Sequence, residues 1–142
     1  MLFNPTRDQA RQFLIDAWRK RCEGIPASAL ETIAADIVAM HPEYHALLTA
    51  PDALTREWTP EDGAMNPFLH LSLHLAIAEQ LSIDQPPGIR ALFESRRSRH
   101  GNAHDALHDI LDCLGETIWR AQRERRPPDG AAYLDCIRRK AG

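Results

Sequence analysis

The chain has 142 residues, 44% hydrophobic and 26% charged, with a formal charge of −3. That make-up suits one globular domain over residues 1–142 and argues against a second independent core. No run reaches the roughly 18 apolar residues that would cross a bilayer, and the opening MLFNPTRDQARQF lacks the basic and apolar regions of a secretion signal.

Helix signals follow one another along the chain. Asn4 before Pro5 forms an N-cap with proline at the first helical position, and Gly24 supplies a stop. Between them Phe13, Leu14, Ala17 and Trp18 share one stripe. Ser28 and Glu31 have capping-box spacing and open a helix through about Met40. Pro42 breaks that helix, and a short helical turn is expected over Glu43–Leu48. Residues 51–66 hold Pro51, Pro60 and Gly63 without an apolar period and read as a surface loop.

Asn66–Pro67 repeats the opening cap and starts a helix ending near Ser82. Pro86, Pro87 and Gly88 lead into a helix over about 88–99, stopped at Gly101. Asn102 caps the longest helix, which runs to about Arg125 before Pro127 and Pro128. Asp129 caps a last helix with Tyr133, Leu134 and Ile137. No stretch alternates apolar and polar residues in the manner of a strand. The expected class is all-α: a bundle of about six helices, mostly antiparallel neighbours.

Seven histidines form three sets spaced by four: His41 and His45; His70 and His74; His100, His104 and His108. Four such pairs stand against roughly 0.3 expected by chance, at the spacing where helical side chains meet. On a helical projection His70 and His74 share a side with Leu73, Ile77 and Leu81, while Ser72 and Glu79 face away. In the long helix His104 and His108 edge the apolar face built by Leu107, Ile110, Leu111, Leu114 and Ile118. The row continues outward through Asp112 and Glu116, and Gly115 leaves a gap beside it.

Imidazoles on an apolar face need hydrogen-bond partners or a metal. His70, His74, His104 and His108 are therefore candidate ligands of a divalent zinc, iron or manganese ion, if the two helices face each other. Asp105, Asp112 and Glu116 are candidate partners that orient the rings. An open coordination position would allow a bound water to act in hydrolysis. His41 before Pro42 reads as a helix cap, and His45 as packed near Tyr44 with a ligand role as the lesser reading.

Other chemistry has less support. The chain has no nucleophile elbow, phosphate-binding loop or dinucleotide glycine pattern. Cys22, Cys113 and Cys136 are odd in number and widely spaced, so they read as small core filler in a reducing cytoplasm, without a disulfide framework. Trp18, Trp58 and Trp119 read as packing anchors, with Trp58 also a candidate for a pocket mouth or partner surface. Residues 1–89 balance to −6 and residues 90–142 to +3, and 15 of the 17 basic residues are Arg. Arg123, Arg125 and Arg126 could meet an acidic protein; no nucleic-acid motif accompanies them.

The segments HPEYHALL, NPFLHLSLHLAIAEQLSIDQPPGIRAL, RHGNAHDALH, CLGETIW and PPDGAAYLDCIRR resemble a family of short proteobacterial proteins known as domain of unknown function 1841. The resemblance spans nearly the whole chain. It implies a bacterial, cytoplasmic, stand-alone helical protein and carries no activity, substrate or ligand. Two functions are thus weighed on the residues themselves. One is a helical protein holding a divalent metal in a histidine cluster. The other is a non-enzymatic interaction module with structural buried histidines and a basic C-terminal docking face.

Overall fold

The computed structural model describes residues 7–58 and 66–140. The Asn4–Pro5 cap and the Pro60 and Gly63 part of the loop lie outside these residues. The described residues form seven α-helices and one 3-10 turn, with no strand: α1 (Arg7–Glu23), α2 (Ala29–Ala39), the turn Pro42–Tyr44, α3 (His45–Leu48), α4 (Pro67–Ile83), α5 (Ile89–His100), α6 (Ala103–Glu124) and α7 (Gly130–Arg139). The chain is all-α as expected, with the four-residue α3 as the additional helix. It divides into two compact units, one running through Leu75 and the other beginning at Ala76.

In the first unit α1 packs on α2. Ser28 accepts from the Glu31 amide at 3.1 Å and the Glu31 carboxylate accepts from the Ser28 amide at 2.9 Å, the expected capping box. The core joins Leu14 and Ala17 of α1 to Ala34, Ile37 and Val38 of α2, Leu48 of α3, and Phe68, Leu71 and Leu75 of α4. Asn66 accepts from the Phe68 and Leu69 amides at 2.9 and 3.3 Å, so the second Asn–Pro cap forms as read. Helix α4 differs from the one-sided pattern expected for it. Leu71 and every residue from Leu73 through Ile77 are buried, and Ser72 is half-buried. A helix apolar nearly all round is a buried one, and here that burial takes in His74.

Arg11, although charged, is 2% exposed. Its Nη1 donates to the carbonyls of Ala53, Leu54 and Arg56 at 3.3, 3.2 and 2.8 Å. Its guanidinium also lies over the Phe68 and Trp58 rings, 4.8 and 5.3 Å from their centres. One arginine thereby satisfies the backbone of the non-helical segment after α3. Trp58 is half-buried against Phe68, a packing role rather than a surface one.

In the second unit, the α4–α5 connection is held by Asp84, which accepts from the Arg90 and Gly88 amides at 2.9 and 3.3 Å. Arg90 in turn donates to the carbonyls of Leu81 and Ser82. Asn102 caps α6 through the Asp105 amide, and Asp129 caps α7 through the Ala132 amide. Tyr133 is buried and donates to Gln80 at 2.7 Å.

Two expectations are corrected here. Cys113 and Cys136 form a disulfide between α6 and α7, with Cα atoms 5.8 Å apart. They are therefore not the separate core filler that their number and spacing suggested. A separation of 23 residues carries no spacing signature, because the packing of α7 on α6 brings the sulfurs together. Trp119 is not a packing anchor either: it is 56% exposed, with Arg123 over its ring at 5.2 Å. No helix among the described residues is long and apolar enough to cross a membrane.

Candidate metal centre

The first unit brings three imidazoles together at the end of α2 and the start of α4. Pro42 stops α2 so that His41 falls just past its last turn, where a side chain can reach back to the final carbonyls. His41 Nδ1 lies 2.8 Å from the Ile37 carbonyl oxygen. A carbonyl only accepts, so Nδ1 carries the proton and the lone pair of a neutral ring sits on Nε2. His70 and His74, one turn apart on α4, face this ring.

The three ring centres form a nearly regular triangle: 4.9 Å from His41 to His70, 4.7 Å from His41 to His74, and 4.9 Å from His70 to His74. His41 Nε2 and His70 Nε2 are 3.2 Å apart. The three rings can each offer a nitrogen such that these atoms lie within 4.8 Å of one another. His41 and His74 are each 2% exposed and His70 is half-buried. Tyr44 stacks on His41 and meets His70 edge-on, with ring centres at 5.6 and 5.9 Å. Burial, reinforced by Glu43, pushes the Tyr44 phenol up, so the wall it provides is neutral.

These distances bear on metal chemistry directly. Two nitrogens bound at about 2.05 Å with a tetrahedral angle between them stand about 3.3 Å apart. The His41–His70 separation is close to that value before any rearrangement. A neutral imidazole whose other nitrogen is held by a carbonyl is also the common form of a metal-ligating histidine.

His45 Nε2 lies 2.9 Å from the Val38 carbonyl, and its ring rests 4.3 Å from Trp18. It therefore caps α2, and His41, read from sequence as a cap only, is the one that joins the α4 pair. His104 and His108 meet in the second unit with ring centres 4.2 Å apart. Asp105 serves the α6 cap and accepts from Asn102. Asp112 and Glu116 are exposed, within 3.5 Å of Lys140 and 2.7 Å of Arg120 respectively. Each of these three carboxylates thus has a partner other than a histidine ring. The acceptor for His41 is a carbonyl. A carboxylate does hold His100: Asp109 is bonded to it at 2.7 Å and to buried Arg96 at 3.1 Å. Asp109 lies off the four-residue histidine ladder, so that spacing gives no sign of it.

Gly115 faces open space, since a Cβ there would meet no atom within 4 Å. Arg125 ends α6 in the left-handed conformation, and Arg126 pairs with Glu124.

A model of the family described as Domain of unknown function (DUF1841) matches residues 6–139. The chain belongs to that family. No curated protein and no solved structure matches it. The family description assigns no ligand, so the chemistry of the DUF1841 chain rests on its own side chains.

Proposed function

We propose that this protein binds a divalent transition metal through His41, His70 and His74, with zinc as the preferred ion. One observation carries the reading: two ring nitrogens stand 3.2 Å apart, one with its lone pair fixed by a backbone carbonyl. Imidazole suits zinc, copper, iron and nickel, whereas manganese favours carboxylate oxygens, and the grouped ligands are imidazoles alone. Zinc and iron are thus retained from the sequence expectation, and manganese is the poorest fit. His104, the ring neighbour of His108 in the second unit, is not among the proposed ligands.

The test is a titration of untagged, chelator-stripped protein with zinc and with cobalt(II). One equivalent should bind, and cobalt should give the intense visible absorption of a tetrahedral site. His41→Ala or His70→Ala should weaken binding at least 100-fold, while His104→Ala should leave it within about threefold. Folded protein that takes up no metal at millimolar concentration would end the proposal.

A second reading, a protein-interaction module, is favoured by Trp119, whose exposure with Arg123 over its ring is the pattern of an interface anchor. Trp119→Ala should then abolish salt-sensitive capture of an acidic partner.

A further inference from the structure

The second unit holds a cleft of about 300 Å³ with the Cys136 side chain in its wall. The small side chains of Ala121 and Ala132 also line it. Cys113, the other half of the disulfide, is fully buried, whereas Cys136 is half-buried. The two cysteines are therefore unequal: Cys136 lines the cleft and Cys113 does not.

The lining carries both signs of charge. Glu116 pairs with Arg120 at 2.7 Å and Glu124 pairs with Arg126, while Arg139 pairs with Asp135 outside the lining. Exposed pairs of this kind are weak, so they exchange readily for the charges of a ligand. A molecule bearing both an ammonium and a carboxylate matches such a wall better than an uncharged one does.

We propose that Cys113–Cys136 is a thiol-exchange site, and that the cleft admits a small zwitterionic thiol, of the amino-acid or short-peptide class, to attack Cys136. The incoming thiolate forms a bond to Cys136 Sγ. The Cys113–Cys136 bond breaks, and its electron pair leaves on Cys113 Sγ, which takes up a proton. A second thiolate then attacks the small-molecule sulfur of the mixed disulfide, releasing Cys136 as a thiolate that is protonated in turn. The protein disulfide is reduced to two thiols while two small thiols are oxidised to one disulfide. The site is independent of the histidine proposal and stands if that one fails.

The experiment uses the full chain carrying Cys22→Ser, since Cys22 is free and exposed. The oxidised protein is mixed with reduced glutathione or with uncharged 2-mercaptoethanol, quenched in acid and mapped by mass spectrometry. The expected early product carries glutathione on Cys136 with Cys113 free, and it forms at least about tenfold faster with glutathione than with 2-mercaptoethanol at equal thiolate concentration. Arg120→Ala/Arg139→Ala should shrink that preference to about twofold or less. If that variant does not fold, high salt applied to the Cys22→Ser protein should shrink it instead. An adduct on Cys113, reduction only after unfolding, equal rates with the two thiols, or a purified protein lacking the disulfide would each overturn the proposal.

Discussion

His41 and His45 lie four residues apart and both turn a ring nitrogen toward the last carbonyls of α2. Their surroundings then diverge, with His41 against His70 and His74, and His45 against Trp18. The two substitutions should separate cleanly. His45→Ala is expected to lower stability by about 1 kcal/mol in urea denaturation, through a lost cap, while metal binding stays within about threefold. His41→Ala should instead remove metal binding with a similar stability change. The pair on α4 was legible because an apolar helix fixes where i and i+4 residues point. His41 was not, because Pro42 interrupts the period and only tertiary packing decides where a residue after the break will face. Arg11 was equally hidden, since a single arginine in an amphipathic helix reads as solvated. Arg11→Leu should cost about 3 kcal/mol, measured by chemical denaturation, by leaving the carbonyls of Ala53, Leu54 and Arg56 without their donor.

The helix ends show why the elements themselves were readable. Ser28, Asn66, Asn102 and Asp129 each hold an amide of the first turn, an interaction that depends on a few neighbouring residues only. The α4–α5 connection adds a charge to the same kind of contact. Amide hydrogen bonds from Arg90 and Gly88 hold the Asp84 carboxyl below its ordinary range. A depressed folded pKa means that the contribution is present above the unfolded carboxylate range, about 4, and is lost as pH falls through the lower folded value. Asp84→Ala should therefore be less stable than the parent at neutral pH, and the gap should narrow as pH falls below the ordinary carboxylate range when urea midpoints are followed with pH. In α6, Gly115 sits mid-helix in open space. Gly115→Ala is expected to raise stability by roughly 0.5–1 kcal/mol, read from thermal or urea unfolding.

At the scale of the whole chain, the two units are held by different means. The first relies on its apolar cluster and on buried Arg11; the second adds the disulfide between α6 and α7. Closing a loop of this length contributes about 3 kcal/mol in the chain-entropy account. Reduction should accordingly lower the stability of the second unit by roughly 2–4 kcal/mol. Hydrogen exchange followed by mass spectrometry would register this as faster exchange in α6 and α7 with α1 and α2 unchanged. Composition gave no warning of the bridge: three cysteines without a short-range motif look alike whether or not two of them meet. The charge asymmetry was visible at once, but its meaning was not, since Arg126 pairs locally with Glu124 and Arg125 ends a helix.

The contact between His41 and the Ile37 carbonyl ties a donor atom to the winding of one turn of backbone. Should that turn fray, the imidazole loses its anchor and its tautomer is free to change. An ion seated on His41 therefore restrains the tail of α2, and slower amide exchange at Met40 and His41 would register its arrival even if the ion itself were spectroscopically silent.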